Sequence, residues 1–240
     1  MRGGAHPVCY HLPRVHTSTN WPAGLAIIFD MDGVVVDSTS LHTVAWERYL
    51  ARLGVDGNGI MRRMLGKRND QIVRDLFGSA LPAAEVDRHG AEKEALYREL
   101  MAPVFERHLV PGVREFVREA ARAGVPLGLG TNAERLNVEF VLGRAGLADA
   151  FRAVVDGQQV SRPKPDPEVY LEVARQLGVP PRDCVIFEDS PGGMAAARAA
   201  GARLVAVLTT LPEAPGADLA IRDFTDPQLR PWLAALSPAP

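Results

Sequence analysis

Short apolar runs alternate along this chain with segments whose apolar residues recur at helical spacing. The apolar runs lie at residues 25–29, 125–129, 153–155, 184–187 and 204–207. Helical spacing is clearest at residues 113–123, 134–145, 167–177 and 191–200. Short runs rich in branched aliphatic residues are typical of buried strands. Their alternation with helices predicts an α/β fold with a three-layer, Rossmann-like parallel sheet and right-handed crossovers.

One long stretch interrupts this alternation. Residues 38–108 show a helical pattern and no convincing strand, and the segment 85–109 is long, charged and amphipathic. This stretch is far too long for an ordinary crossover between two strands. We therefore predict an inserted α-helical cap subdomain at residues 38–108. The predicted core comprises residues 25–37 and 109–240, preceded by a loose N-terminal tail at residues 1–24.

Composition and charge narrow the classes of function. The 240 residues carry a net charge of -2, which argues against a nucleic-acid or membrane-surface partner. The apolar runs are too short to span a bilayer, and the tail lacks the apolar segment of a signal peptide. Cys9 and Cys184 do not suggest a disulfide framework. We expect a cytoplasmic protein, monomeric or weakly dimeric, that binds neither nucleic acid nor membrane.

The sequence Asp30-Met31-Asp32-Gly33 directly follows the first apolar run. Open α/β sheets place their sites at the carboxyl ends of strands, and a glycine lets the backbone turn sharply beside a ligand. Two carboxylates this close repel each other, so a divalent cation, a shared proton or both must compensate their charge. Two acidic residues in an ordinary strand-end turn are the structural alternative.

The ends of the second and third runs carry groups suited to phosphate. Thr131 and Asn132 can bond phosphate oxygens, although a strand-end turn with a helix cap would also explain them. Lys164 lies among prolines in the segment 162–167, and proline favours an extended conformation for the residue before it. An extended, stiff backbone would hold the lysine as a fixed point charge. A solvated loop lysine is the alternative.

A second acidic pair, Glu188 and Asp189, follows the fourth run. Carboxylates at the ends of two neighbouring strands can jointly bind a hard, oxygen-preferring cation. With few protein ligands and a phosphate as co-ligand, Mg²⁺ fits better than Ca²⁺ or Zn²⁺. No grouping of Cys and His residues in the sequence suggests a transition metal. Gly192 and Gly193 then predict close packing of the next helix against the strand.

Four motifs thus follow successive strands: Asp-x-Asp-Gly, threonine, lysine and Glu-Asp. In this order they make the chain resemble the haloacid dehalogenase superfamily of phosphotransferases. The resemblance extends from residue 25 to about residue 208, and the insert is similar to that superfamily's helical cap of the first type. Within the insert, His42 and Ala45-Trp46 are similar to the β-phosphoglucomutase and phosphoglycolate-phosphatase-like branch.

This resemblance implies a role for each motif residue. Asp30 would be the nucleophile that becomes an aspartyl phosphate, and Asp32 would be the general acid and then the general base. Asp30, Asp189 and the backbone carbonyl of Asp32 would hold Mg²⁺, with Glu188 helping directly or through water. The residues that would orient and neutralise the phosphoryl oxygens are Thr131 and Lys164, while Asn132 is a predicted substrate-binding residue.

The four carboxylates and a bound phosphate carry more negative charge than Mg²⁺ and Lys164 can balance. The charges balance only if Asp32 is protonated and the cap supplies further donors. A basic turn at residues 66–69 precedes a helical run, and a helix N-terminus also favours anions. The predicted substrate-binding residues of the cap are His42, Trp46, Gly66, Lys67, Arg68 and Asn69. An exposed basic turn and an aromatic pair in the cap core are the structural alternatives.

The resemblance favours a Mg²⁺-dependent phosphatase acting on a small phosphorylated metabolite, in particular a sugar phosphate. A β-phosphoglucomutase is the alternative. That family places its cap arginine three residues after the glycine, where this chain has Asn69, whereas Arg68 is one position earlier. A true dehalogenase is disfavoured, because Asp32 has no role in displacing halide. A catalytically silent binding module on the same fold is the least favoured reading.

Overall fold

The computed structural model of the chain describes residues 21–64 and 67–236. Most of the predicted tail, with Cys9, and the candidate residue Gly66 lie outside the described residues. The strands are β1 (Ala26–Phe29), β2 (Leu127–Gly130), β3 (Ala153–Val155), β4 (Cys184–Glu188), β5 (Arg203–Val207) and β6 (Leu219–Ile221). The α-helices are α1 (Thr39–Arg52), α2 (Ile60–Met64), α3 (Asn69–Phe77), α4 (Ala83–Met101), α5 (Phe105–His108), α6 (Val113–Arg122), α7 (Arg135–Ala145), α8 (Glu168–Leu177), α9 (Pro191–Ala199) and α10 (Leu229–Ala234). Short 3-10 helices occur at Ala148–Ala150 and Pro181–Asp183.

The strands form one parallel sheet with the order β3-β2-β1-β4-β5-β6. Each of the five apolar runs becomes a strand, which confirms the predicted α/β fold. Phe29 pairs with Leu129 on one side and with Phe187 on the other. The carboxyl ends of β1, β2 and β4 therefore lie side by side. The sequence pattern does not predict β6, because residues 219–221 are too few to distinguish from a loop.

The pleat of β1 divides the core into two clusters on opposite faces of the sheet. Ile27 and Phe29 belong to one cluster, together with buried residues of α6, α7 and α10. Ala26 and Ile28 belong to the other, together with buried residues of α8 and α9. Successive residues of a strand face opposite sides, so β1 is buried on both faces. Burial on both faces explains why the strands read as continuous apolar runs.

Helices α1 to α5 all lie between β1 and α6, and no strand occurs within the described part of residues 38–108. The long helical segment predicted at 85–109 is divided into α4 and α5. The chain enters and leaves this insert through a narrow neck, in which Asp37 N–H donates to His108 C=O (2.7 Å) and Val110 N–H donates to Val35 C=O (3.1 Å). The insert is the predicted helical cap, while its limits at 38 and 108 stay a prediction.

The helices after β3 and β4 begin close to their predicted positions. Ser190 caps α9, since its hydroxyl accepts a hydrogen bond from Gly193 N–H at 3.1 Å, and Pro191 is the first helical residue. Helix α8 begins at Glu168, one residue later than predicted, with Asp166 Oδ1 accepting from the Glu168 N–H. Over the described ranges, the helices are too short or too polar to cross a membrane.

Candidate active site

The predicted chemical groups gather at the carboxyl edge of the sheet. Asp30 follows β1, Thr131 follows β2, and Lys164 lies between β3 and α8. Glu188 is the last residue of β4, and Asp189 follows it. Strand β1 lies between β2 and β4, so the chain order reverses here, and open α/β sheets bind ligands at such a reversal. Groups separated by more than a hundred residues therefore share one site.

Lys164 lies at the centre of this site. Its Nζ donates to Asp30 Oδ1 (2.8 Å), to Glu188 Oε1 (2.7 Å) and to the Tyr170 hydroxyl (2.7 Å). These three bonds use all three N–H groups of an ammonium. The lysine is buried, with 5% of its surface exposed, so the alternative of a solvated loop lysine is wrong. Lys164 and Pro165 lie in a turn, and the peptide bond between them is cis. The extended backbone expected at Lys164 stays a prediction.

Burial and mutual repulsion set the protonation of the acidic groups. Burial raises the pKa of Asp30 to about 7, against the opposing effect of Lys164. Burial, reinforced by Glu188 and Asp30, raises the pKa of Asp189 well above its usual range. Burial alone would raise the pKa of Glu188 as well, but the nearby Lys164 holds it below its usual range. One lysine is therefore too little charge to keep all three carboxyl groups ionised.

Both oxygens of Glu188 are engaged by protein donors. Oε1 accepts hydrogen bonds from Lys164 and from the Tyr170 hydroxyl (2.6 Å). Oε2 accepts from the Asp189 N–H (2.9 Å), and from the N–H and the hydroxyl of Ser190 (3.1 Å each). A Cβ at Gly193 would overlap this carboxylate, so the glycine leaves room for Glu188 rather than only for helix–strand packing. Glu188 thereby holds Lys164 in place.

The site contains a group of carboxylates suited to a cation. One oxygen each of Asp30, Glu188 and Asp189 lies within 4.8 Å of the other two. Asp189 also accepts a short hydrogen bond from the Thr210 hydroxyl. Gly33 has a positive φ of 78°, and a Cβ there would overlap Asp189. These buried, like-charged oxygen donors fit a hard divalent cation, which would supply the positive charge that Lys164 alone does not.

Asp32 has a separate set of partners. Its Oδ1 accepts a hydrogen bond from the Ser38 hydroxyl (2.6 Å) and lies 3.5 Å from His42 Nε2. Burial alone would raise the pKa of Asp32, but His42 and Ser38 lower it below its usual range. The expectation of a protonated Asp32 is therefore wrong for the site without bound phosphate, because these two neighbours stabilise the carboxylate. The Asp32 side chain is not among the three carboxylates that lie close together. Its predicted contribution to metal binding is therefore through its backbone carbonyl oxygen.

Thr131 and Asn132 close the side of the site formed by β2. Thr131 is buried, and its Oγ1 accepts a hydrogen bond from the Ala133 N–H at 3.1 Å. Asn132 Oδ1 accepts from the backbone N–H of Lys164 at 3.2 Å. Both residues line the same cavity as Asp30 and Lys164. Thr131 and Asn132 thus form a strand-end turn and also line the cavity, so the two interpretations of these residues are compatible. That they bind phosphate oxygens stays a prediction.

A cavity of about 130 Å³ lies between this edge of the sheet and the insert. His42 and Trp46 of α1 line it together with Asn69 and Ile72 of α3. Trp46 is fully buried in the core of the insert, whereas His42 faces Asp32 and stacks on Tyr97 with 3.7 Å between ring centroids. The insert therefore forms the wall of the cavity opposite the sheet.

The basic turn before α3 also lines the cavity, but its charges are already paired. Lys67 Nζ lies 2.5 Å from Asp75 Oδ2, and both side chains are largely exposed. Arg68 binds both oxygens of Asp70, and it donates to the backbone carbonyls of two core residues, Gly157 (2.9 Å) and Val160 (3.3 Å). Arg68 therefore joins the insert to the core.

Sequence reasoning missed several residues of the site. The most important are Lys93 and Glu94 of α4, Asn137 of α7, Tyr170 of α8 and Thr210 after β5. A signal for Lys93 was available, because Val86, Gly90, Lys93 and Tyr97 recur at helical spacing and all are buried. A lysine on the apolar face of a helix requires a partner, and Glu94 is that partner.

The chain belongs to the haloacid dehalogenase-like hydrolases, because the sequence model of that family matches residues 25–201. This membership confirms the resemblance drawn from the four motifs, and with it the prediction of an enzyme. Hexitol phosphatase B of Escherichia coli is 37% identical over 79% of this chain and 85% of its own length. The β-phosphoglucomutase of Bacillus subtilis is 30% identical over 84% of this chain and 90% of its own length.

A solved structure agrees with these relationships. A variant of CbbY from Rhodobacter sphaeroides, in complex with xylulose-(1,5)bisphosphate, superposes with a TM-score of 0.72. It is 31% identical and covers 83% of this chain and 94% of that one. These similar proteins thus include a phosphatase, a mutase and a protein crystallised with a bisphosphate. Family membership alone does not choose among them.

Proposed function

We propose that the protein is a Mg²⁺-dependent phosphatase that hydrolyses a small sugar phosphate through an aspartyl phosphate on Asp30. The single observation that carries this proposal is the position of Asp30 at the point where the strand order reverses. There Lys164 Nζ donates a hydrogen bond to Asp30 Oδ1 at 2.8 Å, and Asp32 follows two residues later in the chain. A carboxylate oriented by a buried cation, with a second carboxyl group beside it, is suited to nucleophilic phosphoryl transfer.

Asp30, Asp189 and the backbone carbonyl of Asp32 would hold Mg²⁺. Glu188 would contribute directly or through water, although its oxygens already accept protein hydrogen bonds. Bound Mg²⁺ would supply positive charge to the phosphoryl oxygens. Thr131, Asn132 and Lys164 would orient those oxygens by hydrogen bonds.

Asp32 would move the protons of the two half-reactions. In the first, an oxygen of Asp30 forms a bond to phosphorus while the ester P–O bond breaks, and Asp32 gives a proton to the leaving alcohol. Asp32 is ionised before substrate binds, so it would take up this proton when the negative charge of the bound phosphate raises its pKa. In the second, Asp32 takes a proton from water, the water oxygen bonds to phosphorus, and Asp30 is released with inorganic phosphate. The hydrogen bond from Ser38 and the nearby His42 favour the ionised form that the second step needs.

A phosphosugar mutase of the β-phosphoglucomutase type is the second candidate, and the relative in Bacillus subtilis favours it. A mutase would use the same aspartyl phosphate but return the phosphoryl group to another hydroxyl of the sugar. A cytoplasmic location and a monomeric or weakly dimeric state stay predictions for either candidate. A catalytically silent module is disfavoured by a complete set of candidate reacting groups at one edge.

The test is phosphate release by the purified full-length chain, with and without Mg²⁺, and with Asp30→Asn as the inactive control. An aryl phosphate should first report the core chemistry, and a panel of sugar phosphates should then be scored for free phosphate and for isomerised sugar phosphate. Mg²⁺-dependent release of phosphate supports the phosphatase. Isomerised product without net release would establish the mutase instead, and no turnover of any ester would contradict both.

A further inference from the structure

Every cationic side chain that lines the described cavity has an acidic partner. The cations are Lys67, Arg68, Lys93 and Lys164. Their partners are, in the same order, Asp75, Asp70, Glu94, and the pair Asp30 and Glu188. Lys164 lies beside the reacting group, where one phosphoryl group is expected. Away from that point, the described part of the cavity carries no cation whose charge is left uncompensated.

Arg68 is the arginine of the basic turn that the sequence predicts to bind phosphate, and its donors are largely committed. Four of its five N–H groups are used, two by the carboxylate of Asp70 and two by the backbone carbonyls of Gly157 and Val160. A phosphate would have to displace a bidentate carboxylate to gain the geometry that arginine prefers for anions. Arg68 is thus a fixed part of the wall.

Glu94 places a negative charge on the wall formed by the insert. It is 4% exposed, and its Oε1 accepts from Lys93 Nζ (2.7 Å) and from Asn69 Nδ2 (2.6 Å). Its Oε2 accepts from Asn137 Nδ2 at 2.7 Å, and Asn137 Oδ1 accepts in turn from Arg98 at 2.6 Å. Because arginine only donates, the orientation of the Asn137 amide is fixed. Glu94 Oε2 keeps capacity for a further donor.

This carboxylate is close to the reacting groups. His42 Nε2 lies 3.5 Å from Asp32 Oδ1, and His42 Nδ1 lies 3.7 Å from Glu94 Oε2. One imidazole ring therefore separates the candidate acid–base group from Glu94. Asp32, Glu94, Asn69 and Asn137 line the same cavity, so the part of a substrate that extends away from Asp32 would face Glu94 and the two amides.

We infer that the wall formed by Glu94, Asn69 and Asn137 recognises hydroxyl groups of an uncharged sugar or polyol and excludes a second phosphate. This inference rests on the proposed phosphatase function and specifies its substrate class as monophosphates. A hydroxyl can donate to the carboxylate and accept from an amide, whereas a phosphate can only accept near neutral pH and brings about -2 charge. Glu94 is the specificity-determining residue of this wall.

The ionisation of Glu94 agrees with this assignment. Burial alone would raise the pKa of Glu94, but Lys93, together with the Asn137 hydrogen bond, lowers it to about 2. The carboxylate therefore stays charged throughout the neutral range. Because Glu94 already compensates Lys93, a second phosphate would enter beside a carboxylate and without a free cation, and we expect a preference of about a hundredfold or more against a bisphosphate.

The experiment compares the best sugar monophosphate of the panel with the bisphosphate of the same sugar. For the unmutated enzyme we expect kcat/KM to favour the monophosphate by about a hundredfold or more. Glu94→Gln keeps the shape but leaves Lys93 uncompensated, so it should lower kcat/KM for the monophosphate and raise it for the bisphosphate. The ratio should fall by at least about tenfold. Glu99→Gln, the same change at an exposed position of α4, should leave the ratio unchanged.

A binding measurement keeps the inference testable if Glu94→Gln does not fold. Titration calorimetry on the Asp30→Asn protein with Mg²⁺ should show binding of the monophosphate and at least about tenfold weaker binding of the bisphosphate. Equal affinity for the two ligands, or an unchanged kcat/KM ratio in a folded Glu94→Gln enzyme, would overturn the inference. Failure of the proposed function looks different, because neither the aryl phosphate nor any monophosphate would then release phosphate.

Discussion

Lys93 donates a hydrogen bond to Nδ1 of His42 across 2.8 Å. Because a lysine ammonium only donates, Nδ1 must accept, and we assign the ring proton to Nε2. Nε2 is the atom that faces Asp32 Oδ1, and the Ser38 hydroxyl donates to the same oxygen. Lys93 therefore determines that His42 presents its Nε2–H to the carboxylate of Asp32, the candidate acid–base residue.

Replacing Asp30 by asparagine should abolish turnover without unfolding the protein. The amide is nearly isosteric with the carboxylate but is a poor nucleophile. The measurement is phosphate release, together with thermal unfolding to show that the fold is kept. In the unmutated enzyme, beryllium or aluminium fluoride should be trapped against Asp30. Substantial activity in the Asp30→Asn protein would remove Asp30 from the nucleophile role.

Asp32→Asn should slow turnover of an alkyl phosphate by about 10²–10⁴-fold, the usual contribution of a general acid or base. The loss should be smaller for an aryl phosphate, because its leaving group needs little protonation. Steady-state rates for a series of esters with different leaving-group pKa values provide the measurement. If poor and good leaving groups lose equally, Asp32 does not act as the general acid.

Tyr170→Phe should destabilise the protein by about 1–3 kcal/mol, because Lys164 and Glu188 each lose a hydrogen bond in a buried site. Tyr97→Phe is the matched control, since the buried Tyr97 hydroxyl makes no hydrogen bond to the described residues. Thermal unfolding should show a fall in Tm of several degrees for the first variant and little change for the second. Equal losses would show that Tyr170 contributes only its ring.

The stabilising effect of Glu94 should depend on pH. Its pKa falls from an ordinary value of 4.5 to about 2 on folding. A lowered carboxyl pKa stabilises the folded state above pH 4.5, and this contribution is lost as the pH falls from about 4.5 to about 2. Glu94→Gln should therefore cost about 3 kcal/mol at pH 7, where it leaves a buried charge without its partner.

Denaturant unfolding at several pH values provides the measurement. The difference in unfolding free energy between the unmutated protein and Glu94→Gln should shrink as the pH falls below 4.5. Glu99→Gln, at the exposed position on the same helix, should show no such trend. A difference for Glu94→Gln that stays constant down to low pH would mean that Glu94 is not held ionised by Lys93.

Much of the catalytic edge could be predicted from the sequence because local rules determine it. Asp30 and Glu188 follow apolar runs directly, and parallel strands bring their carboxyl ends to one edge. The partners of these groups could not be predicted in the same way. Tyr170 reads as an apolar position of an amphipathic helix, and its bond to Glu188 depends on how α8 packs on the sheet.

The wall formed by Glu94, Asn69 and Asn137 shows the same limit more strongly. Asn69, Glu94 and Asn137 lie in three different helices, and nothing in their spacing indicates that they meet. Arg68 was predicted to hold phosphate, and the charge at that place is real, but Asp70 lies two residues away and pairs with it. Counting charges along a sequence identifies the cations, whereas the carboxylate with which each cation pairs depends on the folded structure.

The neck between the insert and the core has an evolutionary consequence. Two backbone hydrogen bonds, from Asp37 to His108 and from Val110 to Val35, bring the ends of the insert together beside the first strand. Any other segment whose ends lie equally close could be grafted there without disturbing the strand order beneath it. Selection can therefore change the choice of substrate by exchanging or reshaping helices, while the apparatus for phosphoryl transfer is inherited intact.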